Sequence, residues 1–265
     1  QLEVLTQCLA EIDPNDRLGR QAIHFRRCVI YKAAGDYDKA FQDIAEVEGL
    51  LAESDHWMRA NVLYHKSLLE CCVGNREQSL RLSTAAIPHA RRSNEPQLIV
   101  RILFDAASEM ANQKQGEAAI PLFEEALALC EEMGSYKLEG LTRWQFGDAL
   151  LSMERPREAL EQLQASVRLV VAVQFVAGLK WIFLKTGEAL AALGHDELAL
   201  QVLGKMVEVR NLENRKLADY EQSDIDRIFA ALEAKLGKFQ FDRFYFGGSG
   251  QSWEALAEKV VALKL

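Results

Sequence analysis

The residue types that do most enzyme chemistry are present in this chain, but their spacing does not assemble them. The five histidines, His24, His56, His65, His89 and His195, are scattered along the chain. None has a serine or cysteine nucleophile beside it together with an acid to orient the ring, as acyl transfer needs. The five cysteines, Cys8, Cys28, Cys71, Cys72 and Cys130, are odd in number, and no Cys or His pair has metal-ligand spacing. Cys71 and Cys72 are neighbours, so on a helix they point about 100° apart. All five read as reduced thiols of a cytoplasmic protein. Glu124-Glu125 and Glu131-Glu132 lie on one helical stretch and read as a solvated acidic face. Gly247-Gly248-Ser249-Gly250 lacks the Lys-Ser/Thr ending of a phosphate loop and reads as flexible backbone. The expectation is a non-enzymatic protein with no catalytic residue, no metal and no cofactor.

What does recur is a column of large rings. Phe25, Tyr64, Phe104 and Trp144, then Leu184, stand about forty residues apart. Three residues before them come Ala22, Asn61, Arg101, Leu141 and Trp181, and four after them come Val29, Leu68, Ser108, Asp148 and Glu188. On a helix these offsets share one face. Two readings are open. If that face lines a groove, Phe25, Tyr64, Phe104, Trp144 and Trp181 supply apolar contact, while Arg101, Asp148 and Glu188 set polarity and orientation for a peptide or small ligand. Otherwise the rings are core between helices.

The elements that must carry this column are marked by a repeated turn. Gly35-Asp36-Tyr37-Asp38-Lys39-Ala40 returns in altered form at Gly74–Ser79, Lys114–Ala119, Glu154–Ala159 and Gly194–Ala199. Its last residue falls at Ala40, Ser79, Ala119, Ala159 and Ala199, gaps of 39, 40, 40 and 40. Twelve residues upstream stands a second small column: Cys28, Ser67, Ala107, Gly147 and Gly187. Two phased columns of small residues predict stacked helix pairs, because a larger side chain where two helices cross would hold the backbones apart. Residues 1–12 read as the second helix of a truncated repeat, and pairs follow at about 20–51, 59–91, 97–133, 137–173 and 177–209. The chain is thus expected to be part of a longer protein.

The array takes up 1–210, and 211–265 reads as a C-terminal capping region. There the period fails: Asn211–Asn214 reads as a loop, Lys216–Leu236 as a long helix and Trp253–Leu263 as a last helix. Between these helices, Phe239–Phe246 holds five aromatics, read as a cap on the open end or as a docking segment. Pro88 should kink or end its helix near Thr84–Ile87.

Net charge is −8, a field that repels nucleic acid and anionic membrane. The apolar run Val167–Leu193 is interrupted by Arg168, Lys180, Lys185 and Glu188 and spans a repeat boundary, so it reads as two buried helices.

Cys28, Gly35, Tyr37 and Ala40, followed by Ile44 and Val47, resemble the tetratricopeptide repeat. That motif sets a small residue in its first helix and Gly-x-Tyr-x-x-Ala across the turn. Five in-phase copies cover Arg20–Val209, with a period of 40 instead of the family's 34. Long repeats such as Ala126–Ser135 are similar to the sensor region of bacterial signal-transducing ATPase regulators of the maltose-regulator, LuxR and AfsR types. The resemblance implies an all-α, right-handed α-α superhelix, a tetratricopeptide-like solenoid whose concave groove takes a protein, a peptide or a small inducer. It also implies a regulatory region of a larger signalling or transcription-regulator protein, and the net charge argues for no direct nucleic-acid or membrane contact. The alternative function is homo-oligomerisation, a dimer built through the C-terminal aromatic segment or the solenoid edge.

Overall fold

The computed structural model describes residues 1–212 and 219–264, which form α-helices joined by short turns, with no strand among the described residues. They fall into two compact units, Gln1–Met110 and Ala111–Leu265.

The first unit contains α1 (Leu2–Glu11), α2 (Arg17–Ala34), α3 (Tyr37–Gly49), α4 (His56–Cys72), α5 (Arg76–Ser93) and most of α6 (Pro96–Asn112). Helix α2 packs on α3, and α4 on α5. Part of the core is Cys28, Ala40, Ile44, Val47, Val62 and Leu69, flanked by Phe25, Tyr31 and Phe41. The second unit holds α7 (Gly116–Met133), α8 (Tyr136–Ser152), α9 (Pro156–Ala172), α10 (Val176–Ala192), α11 (Asp196–Leu212), α12 (Asp219–Leu236), α13 (Lys238–Ser249) and α14 (Trp253–Ala262). Here α8 pairs with α9 and α10 with α11, while α14 folds back onto α9 and α11. The Gln164 amide fastens α14 by donating to the carbonyls of Val260 (2.8 Å) and Leu263 (2.9 Å).

Each repeated turn is a helix stop built the same way. Its first residue is left-handed: Gly35 (φ 79°), Gly74 (88°), Lys114 (62°), Glu154 (59°) and Gly194 (83°). At four turns the next amide donates to the carbonyl five residues back: Asp36 to Tyr31 (3.0 Å), Asn75 to Glu70 (2.8 Å), Arg155 to Leu150 (2.9 Å) and His195 to Leu190 (2.9 Å). This closure satisfies carbonyls that the helix end leaves free. Lys114 and Glu154 occupy the left-handed position with a Cβ, which costs about 1–2 kcal/mol, less the unfolded-state entropy of glycine. Lys114→Gly and Glu154→Gly should therefore each raise stability by about 0.5–1 kcal/mol in urea denaturation. Lower stability in both variants would contradict this reading.

The small columns sit where paired helices meet. Ala40, Ser79, Ala119, Ala159 and Ala199 are all buried, as are Cys28, Ser67, Ala107, Gly147 and Gly187. A Cβ on Gly147 would lie 2.7 Å from Leu163 Cγ, and one on Gly187 2.4 Å from Leu203 Cγ.

Consecutive repeats within a unit are tied by polar links spaced about one period. In the first unit Arg17 bonds Asp55, and Tyr64 bonds Asp105. In the second, Glu117 pairs with Arg155 (3.2 Å), Asp148 with Lys185 (2.9 Å), Glu188 with Arg227 (2.7 Å) and Asp196 with Lys235 (2.7 Å). The last two extend the register to α12, past the point where the sequence motif fades.

Three local expectations are corrected. Of the kink or stop expected at Pro88, the stop is overturned, since α5 runs on to Ser93. Pro88 and Thr84 are exposed, so water can satisfy the carbonyl that loses its donor. Asn211 and Leu212 belong to α11 and not to a loop, and residues 213–218, with the expected start of the long helix at Lys216, lie outside the described residues. Gly247-Gly248 is helical backbone within α13, with a packing role taken up in the Discussion.

Candidate functional site

In the first unit α2, α4 and α6 bring together Phe25, Tyr64, His65 and Asp105. Tyr64 is only 6% exposed, which places its ring in the core. Its hydroxyl donates to Asp105 Oδ2 at 2.5 Å, joining α4 to α6. The His65 ring meets Phe25 edge-on at 4.9 Å and Tyr64 at 5.2 Å. Its Nδ1 is buried and has no hydrogen-bond partner. Phe104, next to Asp105 in the chain, is half-buried, and Arg101 is exposed.

Electrostatics follow from burial. Burial pushes the Asp105 carboxyl up to about 6, against the Tyr64 hydrogen bond and the charges of Arg101 and Lys32, which pull it down. Burial lowers His65 to about 3, assisted by Lys32 and Arg101, so the ring is neutral at pH 7. Lys32 is itself lowered by burial. Among the described residues neither Lys32 nor Arg101 has a carboxylate within ion-pair distance, though both lie close enough to Asp105 to affect its proton.

In the second unit Trp144 on α8 is half-buried against the core, and its indole Nε1 is buried with no partner. Asp148 and Glu188 are joined through Lys185, whose Nζ lies 2.9 Å from Asp148, 3.3 Å from Glu188 and 3.6 Å from Asp224. Arg227 closes the cluster at 2.7 Å from Glu188. Burial alone would lower Lys185, but the three carboxylates outweigh it and raise the ammonium's pKa above the ordinary lysine value. Burial raises Asp148, with Lys185 opposing. A cleft of about 440 Å³ opens beside the cluster, floored by Leu151, Ala191, Ile228 and Leu232. Trp181 on α10 is half-buried.

The structure thus groups Phe25 and Tyr64 in one unit, with Arg101 near them, and Asp148 with Glu188 in the other. It also supplies partners that the residue-by-residue reading passed over. His65, Asp105 and Lys185 each follow directly after a position of the ring column, with Gln145 between them in the series. The signal was available: polar residues at forty-residue spacing on predominantly apolar helices.

Among the described residues no group of three or more His, Cys, Asp and Glu side chains is placed to hold a metal ion. No helix among them is long and apolar enough to cross a membrane.

No protein-family model and no curated protein matches the chain. Solved structures do. One is the Signal Transduction ATPase with Numerous Domains protein with a tetratricopeptide repeat sensor from Pyrococcus horikoshii, similar over 98% of this chain at TM-score 0.70 and 14% identity. This chain spans 40% of that protein's length. Aspartyl phosphate phosphatase F from Bacillus subtilis gives TM-score 0.63 at 16% identity, covering 97% of this chain and 75% of its own. PlcR from Bacillus thuringiensis, in its apo form, gives 0.62 at 14% identity, covering 85% and 81%. At such identities the likeness is one of fold: the chain has the all-α, tetratricopeptide-like solenoid fold.

Proposed function

We propose that this tetratricopeptide-like repeat array is a non-enzymatic scaffold that binds a protein, a peptide or a small inducer on the ring-bearing face of its first helices. The reading makes it the cytoplasmic regulatory region of a larger bacterial signalling or transcription-regulator protein. The fold shared with a tetratricopeptide sensor of a signal-transducing ATPase supports this reading.

One observation carries it. Buried polar atoms are nearly always hydrogen-bonded in native proteins. Yet His65 Nδ1 in the first unit and Trp144 Nε1 in the second are buried without partners. Within the second unit a ligand acceptor would complete Trp144, and within the first a ligand polar group would complete His65. Lys32 and Arg101 favour negative charge on a ligand in the first unit. Asp148 and Glu188 stay neutralised by Lys185 and Arg227 unless a cationic ligand exchanges for them.

Native mass spectrometry of the purified chain at several concentrations tests the proposal. A co-purified peptide or small molecule supports it. Trp144→Phe, which removes the N–H alone, and Arg101→Ala, at an exposed position, should then weaken binding by about tenfold, worth about 1.4 kcal/mol, without loss of helicity. Tyr64→Ala is unsuitable because that ring is core. A ligand-free dimer would favour the assembly reading, which rests on Phe239 and Phe246 of α13, 78% and 64% exposed. Phe239→Asp with Phe246→Asp should return such a dimer to monomer.

A further inference from the structure

We propose that His56 and His89 form a two-imidazole site for a divalent late-transition-metal cation, with Zn²⁺ as the reference probe, clasping the start of α4 to the C-terminal part of α5. The two side chains come from positions 33 residues apart, and their Nδ1 atoms face each other at 3.4 Å. Their rings are nearly parallel, at 27°, with centroids 5.6 Å apart. In the metal-free chain this is a long N–H···N hydrogen bond between the two rings. The same separation matches two nitrogens that share one metal ion. Two nitrogens each about 2.0–2.1 Å from a tetrahedral Zn²⁺ stand about 3.3–3.4 Å apart. The cation would replace the proton held between the two nitrogens, and water would complete the coordination.

The surroundings act in two directions. Burial first, then Arg59, His56 and Arg92, hold His89 below the ordinary histidine range, which keeps its ring in the neutral form a metal requires. The same two arginines repel a dication, so affinity should be modest, on the order of micromolar. Asp55, the nearest acid in the chain, is occupied by Arg17 and the Ala52 amide. The site thus rests on two imidazoles, and late transition metals bind imidazole better than Mg²⁺ or Ca²⁺ do.

The full chain, freed of metal with a chelator and kept reduced, should bind one Zn²⁺ at pH 7.5 by calorimetry and gain thermal stability. His56→Ala and His89→Ala should each weaken binding by about tenfold or more, whereas Cys71→Ser with Cys72→Ser should leave it unchanged. Zn²⁺ binding that survives both histidine variants, or is lost with the cysteines, overturns the proposal. So does the absence of any binding at millimolar Zn²⁺. Cu²⁺ electron paramagnetic resonance on the unaltered chain avoids any folding defect of the variants. Hyperfine coupling from two imidazole nitrogens is expected, and coupling from one or none sinks the site.

Discussion

Alanine in place of Gly248 is expected to unseat α13 from α11. A Cβ there would lie 2.1 Å from the carbonyl oxygen of Gln201 and 2.6 Å from its Cα. Both are backbone atoms, so no rotamer change relieves the overlap. Gly204 meets α13 from the other side, where its added Cβ would stand 2.6 Å from the carbonyl oxygen of Tyr245. Two helices approach this closely only when glycines remove the side chains between them. Gly248→Ala and Gly204→Ala should each cost about 2–4 kcal/mol in urea denaturation. Proteases should then cut within α13, whose aromatics Phe241 and Tyr245 would lose their packing against Phe229 of α12. Gly250→Ala is the control: nothing lies within 4 Å of its added Cβ, so its effect should stay within about 0.5 kcal/mol. Equal losses at Gly248 and Gly250 would dissolve the close-approach explanation.

Asp105→Asn should stabilise the protein at neutral pH and leave it unchanged in acid. Folded Asp105 keeps its proton up to about pH 6, whereas an unfolded aspartate loses it near 3.9. Between those values the folded state binds more protons, so stability falls as pH rises from 4 through 6 and stays reduced above. Asparagine keeps an acceptor for the Tyr64 hydroxyl and carries no charge to bury. The variant should gain about 1–3 kcal/mol at pH 7.5, with the gain disappearing near pH 4. His65 acts in the opposite sense. Held down to about 3 by burial, it stays neutral in the fold while its unfolded form protonates below about 6.5, so its contribution is lost as pH falls through that range. Chemical denaturation at several pH values for Asp105→Asn, His65→Gln and the pair separates the two. A gain at Asp105→Asn that does not depend on pH would mean that folding leaves the carboxyl's pKa where it is in the unfolded chain.

The fold was readable because its cause is local and periodic. A small residue where two helices cross and a left-handed residue at each helix stop recur every forty positions, and either column predicts stacked helix pairs. Gly247-Gly248 misled because glycine marks a flexible hinge and a close helix contact with the same letter. Only the position of Gln201, far back in the chain, decides between them. Pro88 misled because the cost of a proline depends on whether water reaches the freed carbonyl.

The candidate site was readable to the level of a helix face. Periodicity puts Tyr64, Arg101 and Trp144 on that face, but it cannot say that the Tyr64 ring turns inward to bond Asp105. Nor can it say that Asp148 and Glu188 are claimed by a lysine. Those facts depend on cross-helix distances between residues some forty positions apart, which spacing alone does not contain.

The links between successive repeats have a mechanical consequence. Small residues and apolar contacts set how close neighbouring helices lie, and dissolved ions hardly affect them. Most of the links are ion pairs with at least one exposed partner, such as Glu117–Arg155 and Glu188–Arg227, and mobile ions screen such pairs over about 8–10 Å at ordinary ionic strength. Spacing and stiffness are therefore governed separately within each unit. Inside a unit, salt should change how readily the repeats flex and leave the distance between them unchanged.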